Sequence, residues 1–467
     1  MSLICLFLLA NSAQAQFSAV GGSGGRGGRG GSSGSRSGSR SGSSQGGGIL
    51  IDTQGVVRPA FAIEVHGKLS QKRLEAWADE KLPQDVNQVS PLRKISLVKL
   101  EAALAECARN QSEVPLEMQF LAGLQRIDYV FVYPKEKDLV IAGPAEGFVV
   151  DDLGRATGVG TLRPAIRLDD LLVALRSVER GGVLGCSIDP VEQNLAKLKS
   201  FVASQRGATT PQAAEARFRQ MPGILGMQDV RVFGVSSETH FAEALVEADY
   251  RMKCLTIGVD RSPVRGLRSF LSMVKPGSNS VQRWWFTPRY DTFTRTEDGQ
   301  AYQFAGQRVC LRSQQELVSD TGARSNAATT DPLLLRYAKL FTDKYPELAD
   351  AVTIFGELQN LFDVSVLAAL MKKDHLPDNV QWDMALFLDD EKLPIIKRTS
   401  PRQVPTLINF HRSRKGLYVA LIGGGVQIDP LQTVQQIEYR SDDGKLQEIH
   451  DDARSATPSP KHHWWWD

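Results

Sequence analysis

Apolar and polar residues alternate through QRWWFTPRYDTFTRTEDGQAYQFAGQRVCLR, residues 282–312. This is the period-two pattern of half-buried strands. The Asp298-Gly299 pair predicts a two-residue hairpin turn. Closing the hairpin there sets Phe293 opposite Phe304, Thr294 opposite Gln303 and Arg295 opposite Tyr302. An earlier strand over 283–287 places Trp284 and Phe286 on one face and Arg283, Trp285 and Thr287 on the other. After Gly306 the apolar parity shifts from Tyr302 and Phe304 to Val309 and Leu311, which predicts a bulge or a bend.

Elsewhere the period lengthens to that of a helix. Leu97, Leu100, Leu104 and Cys107 form one stripe behind Ser96 as N-cap. The spacing also predicts helices over 70–82, 115–125, 169–180, 190–204, 211–220, 238–255 and 265–274. Strands are expected over 127–133 and 138–142, in the segment GVLGCSI, and over 230–235. From residue 332 the chain turns helical again. Phe355, Leu358, Phe362, Val366 and Ala369 mark the inner stripe of a helix over 353–373. Short strands return over 380–439.

The alternation predicts a mixed α/β (α+β) fold. Its expected parts are a mixed α/β domain over 49–320 with a hairpin-rich sheet, a helical hairpin over 321–376 packed on it, and a small β-rich region over 377–450. The tail over 451–467, which carries His462, His463 and three tryptophans just before Asp467, lacks periodicity and reads as disordered.

The N-terminus adds a compartment. An apolar run from Leu3 to Ala10, followed by Ala13-Gln14-Ala15, reads as a signal peptide over 1–15. It is too short to span a bilayer, so no transmembrane segment is expected after its removal. Residues 16–48 are a Gly/Ser/Arg linker that cannot bury a core. All four of its charges are arginines, and the remaining chain carries a balance of two negative charges. A near-neutral body lacks the basic face of a nucleic-acid-binding protein, so no nucleic-acid partner is expected. Cys107, Cys186, Cys254 and Cys310 remain after signal removal, widely spaced in apolar contexts. Buried free thiols are expected, although an exported chain permits bridges.

Candidate chemistry is sparse. Glu146, Asp151 and Asp152 sit in a Gly- and acid-rich loop that could line a cleft, although such a loop is more often a set of turns with a solvated acidic edge. Cys310 alternates with Arg308 and Arg312, and flanking guanidinium groups would favour a reactive thiolate, although a cysteine covered by a neighbouring element is the more usual case. Arg283, Trp285, Arg289 and Tyr290 have the composition of an interaction hot spot. The histidines are scattered, and HExxH, CxxC and calcium-loop patterns are missing, so neither a metal site nor a cofactor is expected.

The segments LQRIDYVFVYPKEKDLVIAGPAEGFVVDD, ADYRMKCLTIG, WWFTPRYDTFTRTEDGQAYQFAGQRV and FGELQNLFDVSVLAAL together resemble an uncharacterised family of exported bacterial proteins. That family is a domain of unknown function with signal peptides and Gly/Ser-rich linkers. The resemblance covers residues 49–439 and implies export and a large α/β body, without assigning a site. The expectation is therefore an exported, tethered, non-enzymatic protein that binds a protein or glycan at the cell envelope or outside the cell. The alternative is a hydrolase with a dispersed acidic active site, recognisable by buried Asp or Glu converging with His.

Overall fold

The computed structural model describes residues 68–204, 210–274, 281–290, 292–318, 331–413, 416–421, 423–455 and 463–467, with the short strands Leu6–Leu9, Ile49–Ile51, Val57–Pro59 and Arg324–Asn326. The 16–48 linker and most of the expected signal peptide lie outside the described residues. Leu6–Leu9, inside that signal, runs antiparallel to strand Gly416–Leu421.

The fold is mixed α/β, as the alternation of elements implies. Its larger sheet carries Gln403–Pro405, Met227–Phe233, Leu184–Pro190, Gly424–Ile428 and Val281–Arg289 side by side. Arg308–Val318 pairs along the full length of Val281–Arg289. A second sheet runs in the order Glu438–Ser441, Thr292–Arg295, Ala301–Phe304, Tyr129–Tyr133, Asp138–Ala145, Ser90–Ser96 and Trp465–Trp466. The 283–312 stretch therefore belongs to both sheets. The chain leaves the larger one after Arg289, forms the hairpin in the smaller one, and returns at Arg308. The shift in parity after Gly306 is this return, made through positive φ at Gly306 (104°) and Arg308 (63°).

The hairpin register is the expected one: Phe293 faces Phe304, Thr294 faces Gln303 and Arg295 faces Tyr302. The turn differs. Only Gly299 of the Asp298-Gly299 pair has positive φ (70°), and its amide donates to the Thr296 carbonyl at 3.0 Å. Asp298 stays out of the left-handed region, its carboxylate accepting from Thr296 Oγ1 at 2.7 Å and from the Gln300 amide at 3.0 Å.

Helix Thr353–Lys373 is the centre of the core. From Ile354 to Met371 every residue is buried, so the aromatic stripe is one side of a helix surrounded by protein. It is long and apolar enough to cross a membrane by length and composition, but here it is enclosed by the body. Helices Leu168–Arg180, His240–Ile257 and Pro430–Gln436 pack around it. Trp284 and Phe286, fully buried, meet Tyr337, Phe341, Tyr345 and Phe355 edge-on or tilted, with ring centroids 5.0–6.2 Å apart.

Several boundaries need correction. The 115–125 helix is one turn at Leu116–Gln119 followed by a 3-10 turn, and 265–274 holds only the 3-10 turn Phe270–Ser272. Residues 377–450 form no separate β unit. Gln403–Pro405 and Gly424–Ile428 complete the larger sheet, Glu438–Ser441 extends the smaller one, and two helices, Pro430–Gln436 and Lys445–Ser455, lie among them. The expected disordered tail is also overturned at both ends: the last helix continues to Ser455, and Trp465–Trp466 pairs with Lys94 and Ile95. Burial of three indoles supplies what periodicity could not signal. Arg93 lies over the Trp465 ring, 4.6 Å from its centroid.

Candidate functional site

Three core helices bring charged groups to one place. Thr239 caps the helix His240–Ile257, its hydroxyl oxygen accepting from the Ala242 amide at 3.1 Å, which makes His240 the first helical residue. Helical periodicity then turns Glu243 and Glu247 toward the same side as His240. Helix Leu168–Arg180 opens with Asp169 and Asp170, acids placed where the helix dipole favours them. Glu357 projects from the first turns of Thr353–Lys373.

His240 Nδ1 lies 2.9 Å from Asp170 Oδ2 and 3.1 Å from Oδ1. The carboxylate accepts from Nδ1–H, so the neutral ring carries its lone pair on Nε2. Nε2 faces Glu357 Oε1 at 3.9 Å, beyond hydrogen-bond length. Arg155 arrives from a tight turn in which Asp151 Oδ1 accepts from the amides of Leu153 (2.9 Å) and Arg155 (2.8 Å). Its guanidinium is paired with Glu247 Oε2.

These groups are almost wholly out of solvent: the side chains of Asp170, His240, Glu247 and Glu357 are each at most 7 % exposed. Burial foremost pushes the Glu247 carboxyl up to about 7; Arg155 opposes the rise and neighbouring Glu357 adds to it. Burial also raises Asp169. Arg155 is buried too, which alone would lower its pKa, but Glu357 and Glu247 hold it above its ordinary value. Glu357 Oε2 and Glu247 Oε1 are buried without a hydrogen-bond partner. A structural polar network normally satisfies such atoms. A histidine lone pair and two unpartnered carboxylate oxygens make a centre able to accept and return protons. Among the described residues no group of three His, Cys, Asp or Glu is placed to hold a metal ion.

The residues singled out from sequence fall elsewhere. Glu146 is a buried structural tie. It accepts from Gln125 Nε2 (2.7 Å), the Gly160 amide (3.0 Å) and the Thr161 amide (2.9 Å), and its side chain fills the space a Cβ at Gly158 would need. Asp151 shapes the turn that delivers Arg155, and Asp152 is exposed. Tyr290 is not at a surface. At 5 % exposure, its hydroxyl donates to Asp363 Oδ1 at 2.5 Å, within a latch in which Arg308 pairs with both Asp363 and Asp128. Arg283 lies over the half-buried Trp285 ring, 4.8 Å from its centroid, and Arg289 is exposed.

Cys310 is buried beside Thr342, whose Oγ1 is 3.7 Å from the sulfur, while Arg308 is committed to the carboxylate latch. Of the two arginines that alternate with Cys310, Arg308 is thus held by carboxylates and Arg312 is exposed. All four described cysteines are free, with Cys107 half-buried and the others buried.

A second buried pair sits on the same helix as His240. Lys253 Nζ lies 3.0 Å from Asp249 Oδ2, and strand Gly424–Ile428 closes over the pair at Gly424. Burial pushes Asp249 up to about 6, against the pull of Lys253. The pair lies between helix and sheet.

The sequence reading missed Arg155, Asp170, His240, Glu247 and Glu357. One signal was present: Glu357, Asn360 and Asp363 interrupt a mostly apolar run at helical spacing, and charged residues on a buried helix are costly unless used.

No curated protein and no solved structure matches this chain. A family described as "Protein of unknown function (DUF1598)" matches residues 186–270, a span that includes His240, Glu243 and Glu247. The chain thus carries a domain of unknown function, DUF1598, at residues 186–270.

Proposed function

We propose that this protein is an exported hydrolase whose acid–base centre is formed by Asp170, His240, Glu247 and Glu357. The observation that supports it is the oriented imidazole: Asp170 holds Nδ1, leaving Nε2 toward Glu357 across 3.9 Å. In this reading His240, oriented by Asp170, takes a proton from water as the water attacks the substrate. Glu247, pushed to about 7, is close enough to neutral to return a proton to the leaving group. Among the described contacts of the ring are carboxylates and no hydroxyl or thiol nucleophile, so water is the attacking group. Export follows from the leader and linker read in the sequence.

The test is hydrolysis by the purified full-length and leader-free proteins across chromogenic esters, glycosides and peptides. His240→Gln should lower any turnover by about 10²-fold or more, the usual weight of a general base. Equal turnover in wild type and His240→Gln, or none on any class, would sink the reading.

A second reading has one observation behind it. Trp285, half-buried under Arg283 with Arg289 exposed near the strand end, fits an anchor for an envelope or extracellular protein or glycan. Trp285→Ala should then abolish co-purification of that partner without touching hydrolysis.

A further inference from the structure

Residues 381–402 contain no regular helix or strand, and Arg398 and Ser400 hydrogen-bond to the chain just ahead of His240. Their first part is fastened twice. Glu101 accepts from Trp382 Nε1 (2.5 Å) and from the amides of Leu386 (2.8 Å) and Phe387 (2.9 Å). Arg176 donates to the carbonyls of Phe387 (2.7 Å), Asp389 (3.1 Å) and Leu393 (2.8 Å). The far end is fastened as well, because Gln403–Pro405 pairs with Met227–Asp229.

Between these anchors the ties are few, and each lands beside a member of the acid–base centre. The Arg398 amide donates to Glu238 O at 3.0 Å and the Ser400 amide to Ser237 O at 3.1 Å, just ahead of His240. Arg398 Nη1 donates to Leu153 O at 2.7 Å, two residues before Arg155, and lies 3.9 Å from Glu243. The Ile396 amide is directed at the Asp169 carboxylate, adjacent to Asp170. Meanwhile Ile396 and Lys397 turn outward, 51 % and 84 % exposed. Ile395 is the one apolar side chain of residues 394–400 that rests against the core, and it is only half-buried there.

We infer that residues 394–400 form a strap that gates access to His240, hinged at the two fastened ends and latched by Arg398. This rests on the reading of the His240 cluster as the working centre. A buried acid–base centre needs a route for substrate, and the local opening of lowest cost is a segment with fixed ends, few hydrogen bonds and little buried apolar surface. Lifting 394–400 breaks the contacts with residues 153, 169, 237 and 238 and leaves both anchors intact.

Access is measurable without turnover. Native full-length protein is treated with diethyl pyrocarbonate, and modification of each histidine is followed by mass spectrometry. In wild type, His240 should react slowly beside exposed His375. Arg398→Ala and Ser400→Pro each remove one tie, and each should speed His240 modification about fivefold, the weight of one net hydrogen bond. Buried His450, on the far side of the smaller sheet's hairpin, should stay slow. Unchanged His240 reactivity in both variants overturns the strap, as does a parallel rise at His450, which would mean general loosening. If His240 opens selectively while no substrate class is ever hydrolysed, the strap stands and the hydrolase reading falls.

Discussion

His240 and Asp170 stand 70 residues apart in the chain, and their side chains meet at 2.9 Å in the core, each at the first turn of its own helix. Removing the carboxylate leaves a buried ring N–H without an acceptor. Asp170→Ala should therefore destabilise the fold by about 2–3 kcal/mol, the cost of orphaning a buried polar group. Asp170→Asn keeps the volume and should cost less. Urea unfolding of the three proteins checks the order, and an Asp170→Ala midpoint equal to wild type would remove the dyad from the argument.

Stability should fall as pH rises through the range set by the buried acids. Glu247 titrates at about 7 in the native protein against 4.5 ordinarily, and Asp249 at about 6 against 3.8. The native state thus holds protons that the unfolded state has already released. Below about pH 4 both states are protonated and nothing is lost; between there and about pH 7 the native advantage drains away. Glu247→Gln removes one of these contributions and should flatten the decline between pH 5 and pH 8 by on the order of 2 kcal/mol. Identical slopes for wild type and variant would contradict the shift.

Thiol labelling should rank Cys107 ahead of Cys310. Cys107 is half-buried on an outer helix, whereas Cys310 is 6 % exposed and covered beside Thr342. Labelling of the native protein at neutral pH with a maleimide probe decides it, and fast reaction at Cys310 would reinstate it as a reactive thiol.

The hairpin was readable from residues because strand alternation is local: Phe293 and Phe304 declare their shared face within a few positions, and their rings stack 4.3 Å apart. The buried cluster around His240 was not. Arg155, Asp170, His240, Glu247 and Glu357 come from four separate elements, and no fixed spacing links them. Periodicity gives a helix over 238–255 without saying how deeply it lies, and His240–Ile257 is buried over most of its circumference. Tyr290 misled for the same reason. Strand parity assigns a face, but the chain changes sheets at that residue, and the new direction carries its hydroxyl to Asp363.

The leader can be checked directly. If export removes residues 1–15, the mature chain begins at Gln16 and lacks the Leu6–Leu9 strand that pairs with Gly416–Leu421. N-terminal sequencing of protein recovered outside the cytoplasm should begin at Gln16. Recovery only from the cytoplasm, with residues 6–9 retained, would mean that the apolar run is part of the larger sheet.

Gly424 tests how closely the sheet is joined to the helix that bears His240. A Cβ at Gly424 would sit 2.5 Å from Lys253 Cε and closer still to Asp249 Oδ1. Neither neighbour can retreat freely, because Asp249 and Lys253 are at most 1 % exposed and hold each other at 3.0 Å. Gly424→Ala must then move the strand, separate a buried ion pair, or both. Breaking such a pair costs about 3–5 kcal/mol, a large share of the total stability of a domain. Gly223 is the control: it lies in helix Met221–Leu225, and a Cβ there meets nothing within 4 Å. Gly223→Ala should be neutral or stabilise by about 0.5–1 kcal/mol, since alanine restricts the unfolded chain and suits a helix. Soluble yield and the urea midpoint compare the two variants. If Gly424→Ala unfolds at the wild-type midpoint, the strand is not pressed onto Asp249 and Lys253, and the helix bearing His240 is held less rigidly than the packing indicates.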